Sequence, residues 1–196
     1  MRKICVLLTA VFLCAALGGC GLLESDALSG LMGLIGSSGP GAEEILELYS
    51  GYTVMDGKTN KAGISVGKVE LSGDYYVINI RSSHPIINQD EGNVGVIANR
   101  LSVLDAEDPD TELDFGLLSV SSTTTKPDGT STHEYYPAIR IAKSEKAKFV
   151  LVMFDGIDAD EVAELETLPL FFVVELNRKE PKLLTEKPLA AGKLLG

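Results

Sequence analysis

Residues 75–81 read YYVINIR and have the clearest strand pattern in the chain. Successive side chains of a β-strand point to opposite faces, so Tyr76, Ile78 and Ile80 share one apolar face. The other face carries a mixed set of side chains: Tyr75, Val77, Asn79 and Arg81. Aromatic and β-branched residues in this alternation predict a strand with one face against a hydrophobic core.

Similar patterns on both sides of this strand predict the rest of the sheet structure. Strands are predicted at 52–55, 63–71, 94–104, 113–124, 132–143, 148–154 and 168–176, the third of them broken near residues 99–100. The turn sequence KPDG at 126–129 predicts that 113–124 and 132–143 form a long hairpin with a Ser/Thr-rich tip. Short helices are predicted at 42–50 and 158–165. Seven or eight strands with one or two short helices predict a mainly β fold, an antiparallel β-sandwich.

The N-terminus has the layout of a secretory signal. Arg2 and Lys3 precede an apolar run at 4–17, which is shorter than the ~20 residues of a membrane-spanning helix. The run ends in Leu17-Gly18-Gly19-Cys20, which resembles the lipobox of bacterial lipoproteins. The resemblance implies cleavage between Gly19 and Cys20, diacylglycerol on the Cys20 sulfur and acylation of the freed amine. The alternative is an ordinary signal peptide that happens to contain a cysteine near its cleavage site.

The lipobox resemblance also implies a location and a division of the chain. Acylated Cys20 would anchor the protein to the cell membrane or the outer membrane, and Gly21 in place of Asp favours the outer membrane and the periplasm if the host has them. Two or three acyl chains hold a protein on a membrane lastingly, whereas one does so only marginally. The predicted segments are a signal peptide (1–19), a lipidated N-terminus and flexible tether (20–41), a β-sandwich domain (42–177) and a basic, partly disordered tail (178–196).

Charge and cysteine content limit the possible partners. Removal of 1–19 takes away Arg2 and Lys3 and leaves 177 residues with 15 basic and 28 acidic side chains, a net charge of −13. A body this acidic argues against nucleic acid as a partner, because the phosphates would repel it. Cys20 is then the one remaining cysteine and is used by lipid, so we predict a domain without a disulfide.

Three stretches together resemble the immunoglobulin-like accessory domains that follow lipoboxes in many bacterial envelope proteins. They are YYVINIR, LSVLDAEDPDTELDFG and IAKSEKAKFVLVMFDGIDADE, and they lie within roughly 68–176. The resemblance implies a domain that binds or scaffolds rather than one that catalyses, although a fold alone does not determine function.

Gly63-Ile64-Ser65-Val66-Gly67 matches the G-x-S-x-G pattern of serine hydrolases. In those enzymes a sharp turn from a strand into a helix exposes the serine. The rest of a catalytic set would come from an acid and a histidine: Asp105 or Asp108, and His133. Residues 68–71 continue as a strand with no helix after them, which favours the alternative that two glycines relax a strand.

Two acidic runs raise the question of a metal. Residues 105–114, DAEDPDTELD, offer oxygen ligands of the kind that calcium takes, but lack the mid-loop glycine of an EF-hand; the alternative is a solvated loop. Residues 155–161 are a second candidate, explained equally well as helix caps and first-turn charges. The two histidines, His84 and His133, are far apart in sequence and suggest no zinc site.

The sequence therefore predicts a lipid-anchored envelope lipoprotein, a binding or structural module without catalytic activity or cofactor. Its expected partners are the membrane, through the lipid, and an envelope protein that could add a strand to an exposed sheet edge. A serine hydrolase using Ser65 and a calcium-stabilised module are the alternatives.

Overall fold

The computed structural model describes residues 40–89, 91–162 and 165–195. This part of the chain contains nine strands in two antiparallel sheets. The strands are β1 (Ile64–Ser72), β2 (Tyr75–Ser82), β3 (Leu101–Asp105), β4 (Gly116–Thr125), β5 (Ser131–Ala142), β6 (Phe149–Phe154), β7 (Leu170–Glu175), β8 (Lys182–Leu183) and β9 (Leu189–Ala190). The helices are α1 (Ala42–Tyr49), α2 (Pro85–Gln89), α3 (Glu91–Ala98) and a 3-10 turn at Ala191–Lys193. The predicted mainly β antiparallel sandwich is confirmed.

The first sheet has the order β1-β2-β5-β4, and β2 is one of its two central strands. Tyr76, Ile78 and Ile80 of β2 are buried in the larger hydrophobic core, as the alternation in the sequence predicts. The predicted hairpin is also confirmed, since β4 and β5 pair one to one from Gly116↔Arg140 to Thr125↔Ser131.

The second sheet has the order β3-β6-β7-β8, and β9 also pairs with β7. Every residue of β6 and β7 is buried, because both faces of these strands are covered. Val152 and Phe172 contribute to the core shared with the first sheet. Leu151 and Phe171 belong to a second cluster that includes Ile45 of α1 and residues from the C-terminal segment. The fold therefore has a third layer behind the second sheet.

The interpretation of 178–196 as a partly disordered tail is wrong for the residues of β8, β9 and the 3-10 turn. β8 and β9 both pair with β7, and Leu189 and Ala191 are buried. Residues 53–55 add to this edge: Ala190 N–H donates to Thr53 O and Met55 N–H donates to Pro188 O. Each of these strands has only two residues, too few to show a period in the sequence.

Three other predictions of secondary structure need correction. The strand at 94–104 is helix α3 followed by β3, and residues 99–100 are the junction between them. Val94 and Ile97 are buried at the i, i+3 spacing of a helix face. Of the strand at 52–55, only an isolated bridge between Val54 and Leu189 forms. Residues 159–162 form turns and a bend rather than a helix, and 163–164 lie outside the described residues.

None of the helices in the described ranges has the length and apolar composition needed to cross a membrane.

Tyr49 fixes α1 to the second sheet. Its hydroxyl donates a 2.7 Å hydrogen bond to the carbonyl oxygen of Ala106, which follows β3, and its ring meets the Phe171 ring edge-on with centroids 5.5 Å apart. Burial, helped by the neighbouring Tyr52 and Asp105, raises the pKa of Tyr49 to about 12. The neutral phenol is thus the form that the fold accommodates.

Tyr49→Phe should lower stability at neutral pH by about 1 kcal/mol, the usual net value of a buried hydrogen bond. Because the pKa of Tyr49 is raised on folding, its contribution is fully present below pH 10 and is lost as pH rises toward 12. Urea unfolding across this range should show the wild type losing about 2 to 3 kcal/mol more than Tyr49→Phe. Parallel curves for the two proteins would contradict this account of the tyrosine.

Candidate functional site

Ser65 lies within β1, directly opposite Arg81 of β2. β1 continues to Ser72 and turns into β2, so the sharp strand-to-helix turn of a serine hydrolase is absent here. The match to G-x-S-x-G falls on an antiparallel strand at the edge of the first sheet.

The structure does not bring Ser65 and His133 together. The guanidinium of Arg81, opposite Ser65, lies 3.4 Å from the ring centroid of Tyr136, and His133 is three residues further along β5. Ser65 and His133 are two strand spacings apart across the sheet and three residues apart along the strands. Each of these two separations is roughly 10 Å. The His133 ring nitrogen Nδ1 instead lies 3.0 Å from the hydroxyl oxygen of Thr123. His133 is an exposed member of a cross-strand pair.

Both glycines of the motif have a structural reason. Gly63 has φ of +59°, which L side chains rarely adopt, and a Cβ there would overlap the side chain of Ser83. A Cβ on Gly67 would lie 2.8 Å from Cγ of Arg81, and the register of β1 shifts between Val66 and Val69 beside it. These glycines allow a turn, a β-bulge and close packing of Arg81.

Labelling with a fluorophosphonate probe tests the hydrolase alternative. We expect the folded wild-type protein to label no more than Ser65→Ala does, because no described group is placed to take the proton from Ser65. Heat-denatured protein gives the background level. Wild-type labelling that Ser65→Ala removes would establish an activated serine and overturn this account.

The acidic run at 105–114 forms a tight connection rather than a cage of ligands. A carboxylate oxygen of Asp105 accepts from the backbone N–H of Glu107 (2.9 Å), and one of Asp108 accepts from the hydroxyl of Thr111 (2.7 Å). Asp105 N–H donates in turn to Thr111 O. These carboxylates cap backbone turns, as aspartates commonly do in loops.

The second acidic run and His84 make separate contacts, and the buried ring nitrogen Nδ1 of His84 has no hydrogen-bond partner among the described residues. Asp155 donates its N–H to the carbonyl of Arg100, and Glu161 forms an ion pair with the Arg100 side chain. His84 precedes α2 and donates its backbone N–H to the hydroxyl of Ser82. Within the ranges described, no three or more His, Cys, Asp or Glu side chains are grouped so that they could hold a metal ion.

Thermal unfolding in calcium and in chelator tests the calcium alternative. A cation that binds only the native state must raise its stability, by about 2.7 kcal/mol at a hundredfold excess over the dissociation constant. We expect equal melting temperatures in calcium at about 5 mM and in EDTA at matched ionic strength. Magnesium at the same concentration is the control for general screening of charge. A rise in calcium alone that Asp108→Asn abolishes would restore the calcium hypothesis.

Cys20 and Gly19, the predicted lipidation and cleavage residues, lie outside the described residues.

Two adjoining surface clefts are lined by basic side chains from segments that are far apart in the sequence. Their volumes are about 580 and 470 Å³, and they share Ser144 and Arg178. The first also contains Lys143, and the second contains two further lysines and the partly paired Glu175: Lys146, Lys148 and Glu175. The bases are visible in the sequence, but only the fold places 143–148 beside 178. Asp74 lines the first cleft and Glu145 the second, so both clefts are open and mixed in charge.

The first sheet carries a second arrangement that sequence patterns did not reveal. Arg81 stacks on Tyr136, and the Arg140 guanidinium lies 4.4 Å from the ring centroid of Tyr75. These residues share the face of the sheet opposite Ile139 and the core. Cation–π pairs of this kind contribute about 0.5–1 kcal/mol each when exposed. These two pairs hold the side chains of Arg81 and Arg140 against the outer face of the first sheet.

β4 is the feature of the first sheet best suited to an interaction. It stands at the end of the strand order and carries ten consecutive uncharged residues, GLLSVSSTTT. Leu117 and Leu118, at its start, are 42% and 38% exposed. Among the described residues, no strand pairs with its outer edge.

Comparison of the chain with protein-family models, with curated proteins and with solved structures finds no significant match. The immunoglobulin-like resemblance therefore stays a prediction.

Proposed function

We propose that this protein is a lipid-anchored lipoprotein of the bacterial cell envelope whose β-sandwich domain binds or scaffolds other molecules without catalysis. The observation that carries the proposal is Leu17-Gly18-Gly19-Cys20 after a charged start and a short apolar run. Each position of the motif holds the residue type that lipobox processing requires.

The arrangement of the domain supports a binding role. The hydrolase-like serine and the acidic runs each have a structural explanation in the fold. What the surface offers instead is an uncharged edge strand and open clefts, both suited to contacts with another macromolecule. The fluorophosphonate and calcium measurements above bear on the two alternatives.

The start of the domain also agrees with an anchor at Cys20. α1 begins at Ala42, so residues 20–41 are the stretch of sequence between the predicted acylation site and α1. A domain held in this way would lie near the membrane and be free to meet partners on its surface.

Cys20→Ala should abolish incorporation of radiolabelled palmitate and leave an unprocessed precursor, because both lipid transfer and cleavage require the thiol of that residue. Cys14→Ala is the matched control: it removes a cysteine from the same signal and should be labelled and processed as the wild type is. Mass spectrometry of the mature protein and fractionation of membranes give the readout. Equal mature masses for wild type and Cys20→Ala would contradict lipidation at this residue.

A further inference from the structure

The two sheets have four outer edges, and in the described part of the chain three of them are protected. β1 has a register shift between Val66 and Val69 and carries Lys68. β3 is covered by residues 111–113, through Asp105 N–H to Thr111 O and Leu113 N–H to Val103 O. The edge formed by β8 and β9 is only two residues long in each strand and is bonded in part by 53–55. Bulges, inserted charge, short strands and covering loops are the devices by which proteins prevent edge-to-edge pairing.

β4 lacks a register shift, an inserted charge and a paired outer strand within the described residues, and helix α3 approaches it only at residues 117–119. Its ten residues contain no charge and no proline, and its pairing with β5 runs without a register shift. An edge strand of this length, with unsatisfied N–H and C=O groups at every second residue, is a template for another strand.

We propose that β4 pairs antiparallel with β4 of a second copy of this chain, so that the two four-stranded sheets join into one of eight strands. Such an interface is isologous: each copy gives and receives the same surface. The proposal concerns the folded domain and does not depend on lipid anchoring.

The alternation of side chains restricts the register of this pairing. Opposed residues in an antiparallel pair share a face, so even-numbered residues of β4 must oppose even-numbered residues of its copy. Even residues lie on the outer face, as Gly116 pairs with Arg140 and Val120 with Tyr136. The sum of two opposed residue numbers is then even, so the two-fold axis must pass through a residue that is opposed to itself.

Charge complementarity selects Val120 as that residue. Asp114 lies two residues before β4 and Lys126 one residue after it, and both are exposed. With Val120 opposite Val120 of the copy, position 114 comes opposite position 126, so that each Asp114 meets the Lys126 of the other copy at the two ends of the interface. The same register pairs Gly116 with Thr124 and uses nearly the full strand.

Apolar contact adds to this arrangement at its centre. Leu118, which is 38% exposed, shares the outer face with Val120 and lies diagonally across from Val120 of the copy. Diagonal neighbours in a sheet are within reach of long side chains. Four apolar side chains would thus meet across the axis, on a strand whose other residues are chiefly Ser and Thr.

Cysteine cross-linking of the full chain tests both the pairing and its register. In Val120→Cys the two cysteines would face each other with Cα atoms about 4.5–5.5 Å apart, within the range for a disulfide. In the control Ser122→Cys, which changes an equally half-buried residue of the same face, the two cysteines would be four residues apart, roughly 13 Å. The wild type sets the background from the native cysteines.

After mild oxidation, a non-reducing gel should show a band of doubled mass for Val120→Cys and only the wild-type level for Ser122→Cys. Equal cross-linking of both variants would overturn the register. The absence of a dimer from Val120→Cys would overturn self-pairing and leave this edge to an extended segment of a different protein.

Charge exchange provides a second test that leaves the strand itself unchanged. Lys126→Asp should reduce cross-linking of Val120→Cys roughly threefold to tenfold, because it places two acids together at each end of the interface. Adding Asp114→Lys should restore it. The turn bonds of Lys126, to Thr130 and Gly129, use backbone atoms only, so the fold does not require its side chain. Reduction without restoration by the double variant would overturn the proposed contact between residues 114 and 126.

Discussion

The two central strands of the second sheet, β6 and β7, carry apolar side chains on both faces, and water must be kept from both. The twelve buried positions of these two strands alternate between the two faces of the sheet, so one partner layer cannot cover them all. Phe154, Phe172 and their neighbours require the first sheet, whereas Phe149 and Phe171 require a cover on the opposite side. At about 25 cal/mol per Å² of apolar surface, burial of two phenylalanines and their aliphatic neighbours on each face is a large favourable term of this fold. The first sheet supplies one cover, and α1 with the C-terminal segment supplies the other.

The second cover explains how the two ends of the described chain are held. α1 comes before the first strand and the 3-10 turn after the last one, yet Ile45 and Ala191 are both fully buried against the same face of the sheet. Tyr49 adds a directed bond to this layer, and Lys193 reaches back to the carbonyl of Gly51. Because the interior is filled on both sides of β6 and β7, chemistry that needs an enclosed polar site has little room there. The surfaces left for recognition are the outer face of the first sheet, the sheet edges and the two open clefts beside Arg178.

Local periodicity predicted the parts of the fold in which one face of an element is buried along its whole length. The alternation in β2 and the apolar run of β6 are of this kind, and so is the hairpin, which the KPDG turn marks. The sequence VGVI at 94–97 is compatible with an alternating strand or with one face of a helix. In the fold it is helical, and Val94 and Ile97 contact the core. β8 and β9 are too short to have a period. The two glycines of the G-x-S-x-G match pack against Ser83 and Arg81, and the sequence could not show this because only the pairing of β1 with β2 brings those residues near.

The candidate interaction surfaces could not be predicted in the same way, because their meaning depends on which edge a strand occupies. A Ser/Thr-rich strand such as β4 is ordinary inside a sheet and consequential at its end, where its backbone groups lack a partner. Edge pairing by one such strand is weak in dilute solution, since it must offset the loss of translational freedom of two molecules. Confinement changes this balance: if a lipid at Cys20 holds each copy within a linker's length of one membrane, the effective concentration rises to a range in which weak contacts are populated. A membrane anchor and an unprotected edge would then serve the same end, since the anchor supplies the concentration that the edge needs.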